Sequence, residues 1–304
     1  MPTFDLNLTS RGLGYDEETV EGTTDVPGAS TALTHMGITD SITLTHMENP
    51  TFVRLNGGED LYSIKGGAQF HTLMWDMGFF QMTELAYGIN ANVGAGTINK
   101  SLFLLGAVKI NGGATTSYIE MNRSRFNQTV VSGAIGSELR ANITAFGKMV
   151  EAWPTALPTN WTLPVVPTTD VWGFDSAATS TPVAWGSDTP DVVSIDMAVT
   201  RNLLRRPGMG ARGVTYNKPG PRDIRATMMV GWADQNAWND MTGSTARTLA
   251  WTLEATPHKL TALGCKVYAA SDPFNIRTST RGGNPAPYEV LQQLVIGGLS
   301  IATS

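Results

Sequence analysis

The stretch Ile64–Gly88, IKGGAQFHTLMWDMGFFQMTELAYG, decides the reading of the fold. Its first residues, with Gly66-Gly67 marking a bend or bulge, read as a strand. From Trp75 to Tyr87 the apolar Trp75, Phe79, Met82 and Ala86 recur every three or four residues, which predicts a short amphipathic helix ended by Gly88. Ile224–Gly243, IRATMMVGWADQNAWNDMTG, runs the same way, with Trp232, Ala233, Asn236, Ala237 and Asp240 on a second short helix. The two share a pattern and few identities. Two similar small β domains with no catalytic constellation between them point to a building block.

Outward from these segments the chain reads as strands. Ser41 to Thr45 alternates, and Thr51 to Leu55 can pair with it. Leu102 to Ile110 suits a buried strand closed by the turn signal Asn111-Gly112-Gly113. Thr116 to Met121, Thr129 to Ala134 and Leu139 to Phe146 continue the sheet. In the last, Leu139, Ala141, Ile143 and Ala145 face one way, while Arg140, Asn142 and Thr144 face the other. In the second half Val171 to Phe174, Val192 to Thr200, Leu249 to Ala255, Leu260 to Ala269 and Glu289 to Ile301 are the predicted strands. Between the halves, WPTALPTNWTLPVVPTT holds Pro154, Pro158, Pro164 and Pro167, predicting a stiff extended connector. The expected organisation is an extended N-terminal arm at 1–30, a first β domain at 31–152, a Pro-rich linker at 153–169 and a second β domain at 170–304. Each domain is expected to be a β-sandwich or small barrel carrying one helix.

Composition narrows the function classes. With 41% apolar and 15% charged residues the chain is too apolar for disorder, and 32 Gly with 16 Pro favour strands joined by turns. A formal charge of -5 argues against a dedicated nucleic-acid binder, which normally carries a basic face. The N-terminus has neither a basic start nor an apolar h-region, and no apolar run reaches membrane-spanning length. The single Cys265 excludes an internal disulfide, so a reducing compartment is expected.

Chemistry-bearing motifs are weak. Gly208-Met-Gly210-Ala-Arg-Gly213 matches the dinucleotide pattern formally, but neither flank supplies the required strand and helix, so a loop is the expectation. His35 and His46 sit in repeated Leu-Thr-His-Met segments without a third ligand nearby, while His71 and His258 lie far off in sequence. Asp76 with Glu84, or Asp234 with Asp240, read as caps and solvated positions on the expected helices rather than as an acid/base pair. No nucleophile elbow or P-loop occurs. No cofactor, metal or catalytic residue is assigned.

The order of elements resembles the major tail tube proteins of long-tailed bacteriophages. The resemblance is carried by the unit ending at Leu85-Ala-Tyr-Gly88, the Leu104-Leu-Gly-Ala-Val-Lys-Ile-Asn111 strand, and the Glu138 to Gly147 strand behind it. The Pro-rich connector into Thr169-Asp-Val-Trp172, and Asp196-Met-Ala-Val-Thr-Arg-Asn-Leu203 ahead of an Arg-rich loop, carry it further. It covers about residues 30 to 304. It implies two tail-tube-like domains and a structural virion protein that assembles in the host cytoplasm into rings. The rings stack through loops and arms into a hollow tail through which the genome passes. Three chains would close a pseudo-sixfold ring if each half is a tube domain, and six if the halves form one. The family also implies tape measure, tail tip and tail terminator proteins as partners. A neutral to acidic lumen would let DNA slide without the phosphate contacts that hold it, although -5 is equally an ordinary solubility charge. The acidic arm (Asp16, Glu17, Glu18, with Glu21 and Asp25) and the Arg-rich loop (Arg201, Arg205, Arg206, Arg212) are the candidate inter-subunit contacts. The alternative is a carbohydrate- or receptor-binding β-sandwich, an adhesin or capsid decoration protein. A third reading, a hydrolase on a β scaffold, lacks a convergent nucleophile and base.

Overall fold

The computed structural model describes residues 13–20, 28–54, 61–79, 92–93, 96–97, 101–109, 116–149, 155–165, 171–174, 183–207, 213–232, 245–252, 259–270, 280–281, 284–285 and 288–302. These residues are mainly β. The first half holds β1 (Leu13–Glu17), β2 (Thr31–Ala32), β3 (Thr34–His35), β4 (Ile38–Arg54), β5 (Leu61–Gly78), β6 (Asn92–Val93), β7 (Gly96–Thr97), β8 (Leu102–Lys109), β9 (Thr116–Ala134) and β10 (Arg140–Met149). Then come β11 (Trp161–Thr162), β12 (Val183–Trp185), β13 (Asp191–Thr200), β14 (Leu204–Pro207), β15 (Val214–Lys218) and β16 (Asp223–Trp232). The chain ends in β17 (Arg247–Thr252), β18 (Lys259–Ala270), β19 (Thr280–Arg281), β20 (Asn284–Pro285), β21 (Tyr288–Val295) and β22 (Gly298–Ala302).

The helix expected from Trp75 is overturned where the structure describes it: Trp75–Gly78 finishes β5. The physical reason lies in the spacing. Trp75 and Phe79 are four apart, a separation that fits period 3.6 and period 2 alike. The alternation that decides is local: Leu73, Trp75 and Met77 are buried, while Met74 is exposed and Asp76 half-buried. Met82 and Ala86 lie outside the described residues, as does the second expected helix after Trp232.

Strands read separately in the sequence merge. Ile38–Arg54 is one strand because the ladder steps over Pro50, which has no N–H to give; the register with β5 shifts between Asn49 and Thr51. Likewise β9 runs unbroken through Arg123, whose φ of 53° places a non-glycine residue in the left-handed region.

β9 joins the two halves of the chain. On one side it pairs with β10 from Met121 to Ser132. On the other it pairs with β8 as far as Ser124, then with β13 from Gln128 to Ala134. One antiparallel sheet therefore crosses the division expected at 153–169. The main core does so too: Trp75, Val131, Ile195, Met228, Trp251 and Leu294 belong to one buried cluster. The expectation of two domains, each with its own sheet and core, is corrected on this point.

The Pro-rich segment is not a free spacer. Trp161–Thr162 pairs in parallel with Thr31–Ala32, and buried Trp161 stacks on Phe103 at 5.8 Å. With Leu33 and Leu105 they form a second, smaller cluster. Of the arm expected at 1–30, residues 13–20 and 28–30 are described, and there β1 is extended and pairs with β8 from Leu13↔Gly106 to Glu17↔Leu102. Tyr15 and Leu13 supply the apolar side that the neighbouring acid conceals in composition.

Packing across the junction is tight at Gly133. A Cβ there would lie 2.5 Å from Phe174 Cδ2 and 3.1 Å from Trp251 Cζ2, two rings that meet edge to face at 5.7 Å. Gly133→Ala is expected to cost about 1–3 kcal/mol by overpacking, read as a lower denaturation midpoint in urea.

Candidate functional site

Two features stand apart from the packed sheet: a long ribbon made by β4 and β5, and a cationic cluster at its root. β4 pairs with β5 from Ile38↔Gly78 to Arg54↔Leu61. β10 covers the other side of β5 only from Gly78 to His71. Among the described residues, β4 pairs with no strand but β5, and Leu61–Phe70 pairs with no strand but β4. The ribbon beyond His46 and His71 is thus two strands wide. Residues 47–54 at about 3.3 Å each carry it roughly 25 Å past the sheet.

The two faces of the root differ. Toward the core, the cross-strand pairs run Ile42↔Trp75, Leu44↔Leu73, His46↔His71. An apolar row therefore ends in two imidazoles, with His46 Nδ1 3.0 Å from His71 Nε2. His71 is buried and His46 exposed. On the opposite face Arg205, from β14, lies over the Phe146 ring at 3.8 Å and the Phe70 ring at 5.1 Å. The hairpin β14–β15 that carries it packs on the β9 bulge. Arg205→Ala is expected to cost about 1–2 kcal/mol of stability in urea titrations. Arg205→Lys should recover only part, because an ammonium cannot lie flat on the two rings.

The bulge explains several charged positions. A left-handed residue in a strand leaves peptide groups off the ladder, and buried ones need other partners. Arg123 N–H donates to Glu18 Oε1 at 2.9 Å. Asn217 Nδ2, fully buried, donates to Arg123 O at 3.1 Å and to Phe146 O at 2.7 Å. The Arg123 guanidinium donates to Thr215 O. Nearby, burial and then repulsion from Arg125 and Arg222 weaken the hold of Arg201 on its proton, down to about 9, which leaves it cationic at neutral pH.

The residues singled out in the sequence fall as follows. Asp16 and Glu17 are half-buried in β1, and Glu18 is buried under the bulge, where it accepts from Arg123 N–H. Arg205 is committed to the two phenylalanines, and burial lowers its pKa. Arg206 is exposed beside an open recess of about 540 Å³ lined by Leu204, Pro207 and Thr215. Arg212 lies outside the described residues, as do Glu21 and Asp25. Gly213 leads into β15, a strand, so the glycine pattern has no helix behind it. Asp76 sits on a strand, accepting from Ser41 Oγ at 3.0 Å and Asn142 Nδ2 at 2.7 Å, so the cap or solvated position expected for it on a helix is corrected. His35 is in β3 and buried, which lowers its pKa. The partner of His46 is His71, across the ladder.

Sequence reasoning missed the His46–His71 pair and the roles of Glu18 and Asn217. The pair had a readable signal in the alternation on both strands, but not in their register. A polar recess elsewhere, lined by Ser132, Ser137, Glu138, Arg140, Ser194 and Asp196, puts no imidazole or thiol beside its serines. Arg140 there is paired with Asp40 and Glu138. Among the described residues no group of three or more His, Cys, Asp or Glu is arranged to hold a metal.

No family of known proteins and no curated protein sequence matches the chain.

Proposed function

We propose that this chain is the subunit of a viral tail tube, a structural protein that closes into rings and stacks them into a hollow conduit for the genome. The observation that carries the reading is the ribbon, which beyond His46 and His71 pairs with no further strand among the described residues. A two-stranded hairpin is marginal in water by itself, and a long edge strand invites pairing with another chain. Here β4 exposes Thr43, Thr45 and Met47. A second copy of the same chain is the occupant that satisfies both edges repeatedly, because a subunit that offers such an edge once in every copy builds an array. The weak charge of the chain, 15% charged residues, also suits a surface largely covered by its neighbours. The resemblance of element order to tube proteins selects stacked rings from among possible arrays. The subunit would then meet tape measure, tail tip and tail terminator proteins at the ends of the tube, and DNA in its lumen without specific binding.

Sedimentation velocity over a hundredfold concentration range tests self-assembly. The expected result is a boundary that keeps shifting to heavier species as concentration rises. A single small species at every concentration would favour an adhesin or decoration protein and remove the proposal.

A further inference from the structure

We infer that His46 and His71 form a two-imidazole binding site for a transition-metal dication, of the Cu²⁺ or Ni²⁺ type, at the root of the ribbon. Two ring nitrogens 3.0 Å apart cannot both present bare lone pairs to each other. Something positive must lie between them, either a proton donated by one ring or a metal ion that displaces it. The geometry suits the ion. Imidazole nitrogen binds these ions at about 2.0–2.1 Å, so a separation of 3.0 Å subtends about 94° at the metal. That lies close to the right angle between adjacent ligands in tetragonal coordination, and short of the roughly 109° that tetrahedral zinc prefers.

The protein frame holds the pair in place. His46 and His71 are directly opposed in the ladder, with regular pairs on both sides at Thr45↔Thr72 and Met47↔Phe70. Their rings lie 4.9 Å apart at 46°. His71 is rooted in the buried row below it, and the exposed His46 leaves the outer positions of the ion open to water. Glu48, two positions along β4 on the same face, adds negative charge near the ion while one of its oxygens accepts from Gly67 N–H at 3.0 Å. The order of affinity should follow Cu²⁺ above Ni²⁺, with Mg²⁺ and Ca²⁺ unbound, since hard cations prefer oxygen.

The test is isothermal titration of the full chain, free of any histidine tag, with NiCl₂ and CuCl₂ at pH 8. One ion per chain is expected, with a Cu²⁺ spin-resonance spectrum showing two equivalent-type nitrogen ligands. His46→Ala changes an exposed side chain and should fold normally, with nickel affinity reduced about tenfold or more, as expected when a ligand itself is lost. His71→Gln should do the same, and His258→Gln should leave binding unchanged. Circular dichroism confirms folding of each variant. If His46→Ala binds nickel as tightly as the parent, or the parent binds no ion that a variant carrying both His46→Ala and His71→Gln does not, the imidazoles share only a proton and the inference fails.

Discussion

Excising residues 48–69 and joining Met47 to Phe70 through Asn-Gly is expected to abolish assembly while leaving a folded monomer. The loop is chosen because Met47 and Phe70 face each other in the ladder, and a two-residue type I′ turn closes such a pair without splaying the strands. The cut spares the described core, since none of the described side chains at 47–49 or 66–70 is buried. Arg205 keeps both rings beneath it. The predicted outcome is one light species in sedimentation velocity with a far-ultraviolet spectrum still of β type. A milder variant makes the same point without shortening the chain. Thr43→Lys with Thr45→Lys charges the outer edge of β4, both positions being exposed, and should block pairing by another strand. Continued assembly by both variants would remove the ribbon from the account.

Asn217→Ala should be the most damaging single substitution at the bulge, costing about 2–5 kcal/mol. The side chain is fully buried, and its loss orphans two carbonyl oxygens, Arg123 O and Phe146 O, at about 1–3 kcal/mol each. Asn217→Asp is no rescue, because it aims a carboxylate oxygen at those carbonyls. Glu18→Ala should cost about 1–3 kcal/mol by orphaning Arg123 N–H, and Glu18→Gln should be nearly silent because it keeps the acceptor. Both residues hold the backbone of the same bulged residue, Glu18 its N–H and Asn217 its carbonyl, so their effects should couple rather than add. Denaturant titrations of the two single variants and the double variant read the coupling. Strictly additive losses would mean that the two contacts do not act on one bulge.

The β character of the chain was legible because alternation is a local property. Ile195, Met197 and Val199 are buried, as their spacing requires. The helix at Trp75 was misread because a spacing of four satisfies both periods, and only the neighbours Met74 and Met77 separate them. What the arm packs on was not legible, because composition hides Leu13 and Tyr15, whose burial depends on finding β8 about ninety residues later. The halves looked independent because four prolines suggest a boundary, whereas the pairing of β9 with β13 is nonlocal and leaves no mark in either segment. At the site, the repeated Leu-Thr-His-Met drew attention to His35 and His46. The true neighbour of His46 was set by register, which shifts at the step over Pro50 and is not legible in either strand alone.

Negative-stain electron microscopy of the purified chain across a concentration series tests the central claim most directly. The account predicts rings with a central hole wide enough for duplex DNA, stacking into tubes as concentration rises, with three- or sixfold rotational averages. Uniform small particles that never stack, even at the highest concentration, would contradict it.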